Sequence, residues 1–399
     1  MSVNLRPVPG IRLGIAQAAV KRAGRDDLLV IESAEGSSCA AVFTQNAFCA
    51  APVTLARSHL DAHPRWLLIN SGNANAGTGS RGVNDAIACC EGLARAVGAS
   101  DSCQVLPFST GVIGEYLPLD RMLNAIPLAV ANMAADQWEE AARAIMTTDT
   151  RPKAASRTIQ FPAGDVVLTG ICKGSGMIHP NMATMLAFIA TDAKISRALL
   201  QTLLARAVDQ TFNCITVDGD TSTNDACVLL ASGHSAIEIK DEQSHESRLF
   251  FDALLSLCSE LAEAIVRDGE GATKLIRVEV QGAVDRDEAR RVGFTVAHSP
   301  LVKTAFFASD PNWGRILAAV GRSGSLALEI ERVNIWLDEV QIVENGGRSN
   351  RYEESSGAAV MAKPEITIRI DLGRGDGEAV IKTCDFSYDY VRINAEYRT

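Results

Sequence analysis

A mixed α/β fold is what this chain predicts, and three observations carry that expectation. Short apolar runs such as LLVI at 28–31, WLLI at 66–69 and VVLTGI at 166–171 have the length and composition of buried strands. Helical patterns alternate with them, and no internal repeat is visible. The 399 residues, 47% hydrophobic and 22% charged, fall in the globular range and suffice for more than one core.

At the N-terminus no acid precedes Asp26, while Arg6, Arg12, Lys21, Arg22 and Arg25 do, a bias shared with mitochondrial transit peptides. Pro7, Pro9 and Gly10 would interrupt the helix such a peptide needs, so an ordinary N-terminal strand is expected. A helix is expected over 85–97, with Cys89 and Cys90 as packing residues. The clearest helix starts with Ser196 as N-cap and aligns Leu199, Leu200, Leu203, Leu204, Ala207 and Val208 on one stripe. Another is expected over 246–267, with Phe250, Leu254, Leu257, Leu261 and Ile265 spaced for burial and Asp268-Gly269 as its stop. After about Asp285 the texture shifts to strands, at 326–330, 333–337 and 366–372, around a polar stretch at 345–354. A smaller α+β subdomain over 285–399 is the expectation.

A net charge of -10 disfavours phosphate backbones and anionic lipid, so neither nucleic acid nor a membrane is an expected partner. No apolar run nears the roughly 18 residues that cross a bilayer, and no secretory core follows Met1. The ten cysteines are scattered without C-x-x-C spacing, which fits a reduced, cytoplasmic protein.

The segment KGSGMIHPNMA at 173–183 is flexible backbone that leads into Thr184 and then MLAFIA, which reads as a buried strand. A threonine at the mouth of a strand, after a loop able to adopt strained dihedrals, is placed to attack its own preceding carbonyl. The freed N-terminal threonine then carries an α-amine of pKa near ~8 beside its hydroxyl, so nucleophile and base share one residue. The plain alternative is a turn before a structural strand threonine. A phosphate loop is excluded by the missing G-K-[ST] ending.

Other patterns carry less. Asp218, Asp220, Asn224 and Asp225 lack the glycine and glutamate of a calcium loop. His59 and His63 have helical metal spacing, but Leu60 stands where a glutamate belongs and Pro64 follows, so a surface turn is expected. His179 reads as a loop residue, and no G-x-S-x-G elbow occurs. Neither metal nor cofactor is called for.

The string KGSGMIHPNMATML at 173–186 strongly resembles the signature of the ornithine acetyltransferase family. INSGNANA at 69–76, STGVIG at 109–114, VDGDTSTND at 217–225 and SDPNWGR at 309–315 are similar to the family's as well, so the resemblance spans nearly the whole chain. It implies self-cleavage between Ala183 and Thr184 into pieces 1–183 and 184–399 that stay associated as two of each. The layered α/β fold shared with D-aminopeptidase-esterases is implied with it. Thr184 would accept acetyl from N-acetylornithine and pass it to glutamate, with acetyl-CoA a possible further donor rather than a cofactor. Thr110 and Gly111 match the oxyanion hole, and Thr147, Lys173, Thr184, Glu270, Asn394 and Thr399 the substrate-binding positions. Thr147 is assigned by counting, with Thr148 its neighbour.

An ornithine needs both signs of charge, so Lys173 suits a carboxylate and Glu270 an ammonium. Glu270 follows the expected helix end, where exposed carbonyls add attraction for a cation. The carboxylate of Thr399 would supply a second negative charge. Two rival activities remain open from sequence: a self-cleaved amidase or aminopeptidase with water as acceptor, and an uncleaved small-molecule binding protein.

Overall fold

The computed structural model of the protein describes residues 5–179 and 185–396. Ala183, Thr184 and Thr399 lie outside the described residues. The chain divides into one unit of 1–213 with 220–265, and another of 214–219 with 266–399.

In the first unit the chain runs β1 (Ile11–Ala16), β2 (Leu28–Ser33), β3 (Ser38–Phe43), α1 (Ala51–His59), β4 (Trp66–Asn73), α2 (Gly79–Val97) and β5 (Val105–Val112). It continues through α3 (Leu119–Ala131), α4 (Trp138–Ala144), β6 (Lys153–Phe161), β7 (Gly164–Lys173), β8 (Leu186–Thr191) and β9 (Lys194–Ile195). Last come α5 (Arg197–Gln210), β10 (Ala226–Ala231), β11 (Glu238–Ile239) and α6 (His245–Arg267). One sheet has the order β1-β2-β4-β5, a second β3-β10-β8-β7-β6, and β9 pairs with β11. β4 runs parallel to β5 and β8 parallel to β10; the remaining neighbours in the two large sheets are antiparallel.

The continuous apolar runs follow from burial on both faces of a sheet. Leu29, Ile31, Leu67, Ile69, Leu106 and Phe108 share a core with Ile171, Phe188, Val228 and Leu230 of the second sheet. Phe108 and Phe188 meet edge to face there, with ring centroids 5.2 Å apart. The alternate residues Leu28, Val30, Trp66, Leu68 and Val105 pack on Cys89, Cys90 and Leu93 of α2 and Ile126 of α3. On the outer side of the second sheet, Gln201 of α5 bonds both the N–H and the carbonyl of Ala41, at 3.1 Å each. A methyl group at Gly170 of β7 would touch Leu257 and Leu261 of α6. Helices thus cover both outer faces of two packed sheets, the layered α/β arrangement expected.

Ser196 caps α5 by accepting from Leu199 N–H at 3.4 Å, and α6 spans the expected stripe. His59 corrects an expectation: it is buried at the end of α1 with Nδ1 2.8 Å from Val105 O, because the α1 face that carries it packs on β5. His63, in left-handed backbone, makes the turn that follows.

The second unit contains β12 (Leu275–Ala283), α7 (Arg286–Ala297), α8 (Pro300–Phe307), α9 (Trp313–Gly321), β13 (Asn334–Leu337) and β14 (Val340–Glu344). β15 (Gly347–Arg348), α10 (Glu354–Met361), β16 (Glu365–Asp371), β17 (Gly377–Cys384) and α11 (Tyr388–Ala395) complete it. Six strands form one sheet in the order β15-β14-β13-β16-β12-β17, parallel only between β12 and β16. Val278, Ile335, Ile368 and Ile381 of the sheet share a core with Val292, Phe306 and Val320 of the helices.

Here the strand texture expected after 285 is corrected. Three short helices occupy most of 286–321, each begun by a side-chain cap: Asp285 accepts from Glu288 N–H, Ser299 from Val302 N–H and Asn312 from Arg315 N–H. The run at 326–330 is not a strand, and Leu326 is 85% exposed, so nothing rewards its pairing. β12, which precedes 285, belongs to this unit as well and pairs with both β16 and β17.

Candidate active site

β4 and β5 end in the two polar motifs INSGNANA and STGVIG, and their parallel register sets Ser71 opposite Thr110 and Gly72 opposite Gly111. Gly72 has φ +109 and Gly111 φ +134, conformations that side chains disfavour. A Cβ on Gly111 would also fall 2.2 Å from the carbonyl carbon of Gly72. Around this crossing the polar groups bond one another. Ser109 Oγ donates to Asn70 Oδ1 at 2.6 Å, and Asn70 Nδ2 donates to Asn73 O at 2.8 Å. Asn224 Nδ2 donates to Ala74 O at 2.7 Å and to Ser109 O at 3.0 Å, tying the start of β10 to the ends of β4 and β5.

Thr110 is buried within that frame, and Lys173, also buried, donates from Nζ to Thr110 Oγ1 at 3.3 Å. An ammonium can only donate, so the hydroxyl accepts from it and keeps its own proton for another acceptor. That is the state in which a hydroxyl stabilises a developing oxyanion. Lys173 ends β7 opposite Leu186 in the register with β8, two residues past Thr184 in sequence.

Behind Lys173 lies Asp149. Its Oδ1 receives Lys153 Nζ at 2.6 Å in a pair only 1% and 0% exposed, and Gly174 N–H at 2.7 Å; Oδ2 receives Thr147 N–H at 2.9 Å. Burial alone would raise the Asp149 carboxyl, but Lys173, Lys153 and these hydrogen bonds outweigh it and hold the group down at about 2. Asp225, fully buried at the start of β10, behaves oppositely. Burial pushes its carboxyl well above the usual range, against Lys173 and against hydrogen bonds from Met185 N–H and Ser222.

In the second unit Asn394 Nδ2 donates to Glu270 Oε2 at 2.8 Å and to Tyr390 O at 3.0 Å. Glu270 is buried three residues after α6 ends at Arg267. Gly271, with φ +70, lets α11 approach: a Cβ there would lie 2.5 Å from Tyr390 N, and Ser387 Oγ donates to Gly271 O at 2.6 Å.

Of the residues singled out in the sequence, the first unit therefore brings together Thr110, Gly111, Lys173 and, through Asp149, Thr147; the second brings together Glu270 and Asn394. Sequence reasoning missed Asp149 and Lys153, which sit in the unremarkable string TTDTRPK, and the part played by Asn224 and Asp225. A signal for the last two existed: a carboxylate directly before the all-apolar run ACVLLA at 226–231 is out of place unless it is held for a purpose.

A buried hydroxyl free to donate, backed by ammonium and glycine backbone on a layered α/β scaffold, defines an acyl-transfer enzyme. The sequence model of the ArgJ family matches residues 12–399. The chain is 64% identical over 397 residues to the arginine biosynthesis bifunctional protein ArgJ of Methylococcus capsulatus, covering 100% of this chain and 97% of that protein. It is 53% identical over 399 residues to the protein of that name from Pseudomonas syringae pv. tomato, covering 99% and 98%. The crystal structure of arginine biosynthesis bifunctional protein argJ from Bacillus halodurans is similar at 40% identity and a TM-score of 0.49, covering 51% of this chain and 95% of that one. The chain belongs to the ArgJ family, the acyltransferases of arginine biosynthesis. Among the described residues no helix is long and apolar enough to cross a membrane.

Proposed function

We propose that the protein breaks its own backbone between Ala183 and Thr184, and that Thr184, now at the start of piece 184–399, carries acetyl from N2-acetylornithine to glutamate. The hydroxyl attacks the acetyl carbonyl with its own α-amine as base; ornithine leaves, and glutamate takes the acetyl from the ester. Thr110 O–H and Gly111 N–H meet the oxyanion in both steps. Lys173 and Thr147 suit a carboxylate of the substrate, and Glu270 and Asn394 suit an ammonium. Acetyl-CoA is a second donor, in line with the bifunctional relatives. No cofactor enters, the two pieces assemble as two of each, and the enzyme works in the cytoplasm without nucleic acid or membrane partners.

The observation that supports this reading most is the bond from Lys173 Nζ to Thr110 Oγ1, which leaves the buried hydroxyl's own proton available to an acceptor. Intact mass after incubation with N-acetylornithine tests it. One acetyl is expected on the piece beginning T-M-L-A and none on the other. Thr184→Ala should remain a single full-length chain without transferase activity. Ornithine release at the full rate without glutamate would make water the acceptor, and uncut but active enzyme would sink the scheme.

A further inference from the structure

Glu270 stands on a tight turn in the second unit. Ala272 N–H donates to Gly269 O at 2.9 Å, which puts Glu270 and Gly271 at the middle of a β-turn. The φ of +70 at Gly271 is the left-handed backbone that the third position of such a turn takes. Glu270 Oε2 accepts from Asn394, whereas Oε1 has no hydrogen-bond partner among the described residues.

Asp385, 0% exposed, holds the segment that leaves this turn. Its Oδ1 receives Thr273 N–H and Lys274 N–H at 2.8 Å each, and Oδ2 receives Thr273 Oγ1 at 2.5 Å. Among the described residues these are all the hydrogen bonds the carboxylate makes. The two lysines nearby are committed elsewhere: Lys274 Nζ donates to Phe306 O, Ser309 Oγ and Met361 O, and Lys303 Nζ to Cys384 O and Thr383 Oγ1. Strand register explains the placement. Leu275 at the start of β12 faces Cys384 at the end of β17, so Lys274 and Asp385, one step beyond that pair, meet. Two residues further on, Ser387 donates to Gly271 O and accepts from Tyr390 N–H to begin α11, which carries Asn394 back to Glu270. A buried carboxylate is kept where hydrogen bonds satisfy it, and here every one comes from the three to four residues past Glu270.

We propose that Asp385 is a positioning residue for donor selection: it fixes the turn so that Glu270 presents its free Oε1 to the side-chain ammonium of the donor. The proposal rests on Glu270 serving that ammonium. Asp385 spends its own oxygens on the loop and acts through Glu270. With a loose turn, Glu270 must be ordered at the moment the donor binds, and that cost appears in affinity. Acyl transfer at the hydroxyl uses none of these groups, so kcat is spared.

Asp385→Asn turns three charge-assisted bonds into neutral ones, and KM for N2-acetylornithine is expected to rise about tenfold with kcat within about twofold of wild type. Glu270→Gln should raise KM further. Adding Asp385→Asn to Glu270→Gln should then change little, because the group through which Asp385 acts is already gone. A role in packing alone would lower kcat, or raise KM by the same factor in both backgrounds, and either result overturns the proposal. If the Asn form does not fold, the hydroxyl of Thr273 decides: Thr273→Val is expected to raise KM about threefold and Thr273→Ser to restore it. An unchanged KM in the Val form, or a Ser form no better than Val, overturns the proposal. Glu270→Gln with an unchanged KM removes the ammonium reading of Glu270 itself, whereas a raised KM there beside an unchanged one in Asp385→Asn removes Asp385 alone.

Discussion

The first unit buries lysines against carboxylates, and the second buries one against neutral oxygens. Lys153 pairs with Asp149, and Lys173 stands between Asp149 and Asp225 while donating to Thr110. Lys303 of α8 is as deeply buried, yet it donates to Thr383 Oγ1 at 2.8 Å and to Cys384 O, and lies 4.5 Å from the face of Phe386. Burial lowers its pKa despite Cys384, Asp385 and Asp218 nearby. The contrast teaches that burial of a cation does not mark a working site. What distinguishes the first unit is that Lys153 is ion-paired directly to Asp149 and Lys173 donates to a hydroxyl at the crossing of β4 and β5, whereas Lys303 straps α8 to the strand end that leads into α11, where Thr383 Oγ1 itself donates to Cys384 O.

Paired methionine substitutions give the largest expected difference. Lys173→Met should lower kcat/KM by about 10²- to 10³-fold, because the support for the oxyanion hydroxyl is gone. Lys303→Met should leave the rate near wild type. Steady-state kinetics on both variants would break the comparison if the losses were equal.

Stability provides the next test. Asp149→Asn removes the acid from a buried pair and should cost about 3–5 kcal/mol in denaturant unfolding at neutral pH. The folded-state pKa of Asp149 is depressed from 3.8 to about 2, so its contribution is complete above 3.8 and fades as pH falls through about 2. Acid titration should therefore show a steeper loss across that window in wild type than in Asp149→Asn.

The smallest effect is expected at Lys303. Its methionine variant trades a desolvated charge for two orphaned acceptors and should unfold within about 1–2 kcal/mol of wild type. With its pKa below the ordinary 10.5, the unfolded chain holds the proton more firmly, so wild type gains stability as pH climbs through the depressed value toward 10.5. Denaturation curves of Lys303→Met should lack that rise.

Much of this architecture was legible beforehand where one periodicity governed burial. The runs at 28–31 and 66–69 face apolar neighbours on both sides, and α5 and α6 carry stripes long enough to read. The stretch 286–321 misled because its helices are short and lean on caps at Asp285, Ser299 and Asn312 more than on a long stripe. In the site, Thr110, Gly111 and Lys173 were reachable through motif resemblance. Asp149 and Lys153 were not, since two opposite charges four apart in a turn look like solvated surface until the sheet closes over them. Pairing of Glu270 with Asn394 depends on contacts across more than a hundred residues, which no local pattern carries.

The close crossing of Gly72 and Gly111 also limits how this catalyst can be re-engineered. Even one added methyl at position 111 would collide with the neighbouring main chain, so libraries that randomise that spot should return little besides glycine. Attempts to admit bulkier acyl donors must therefore change residues elsewhere, with this glycine pair kept as it is.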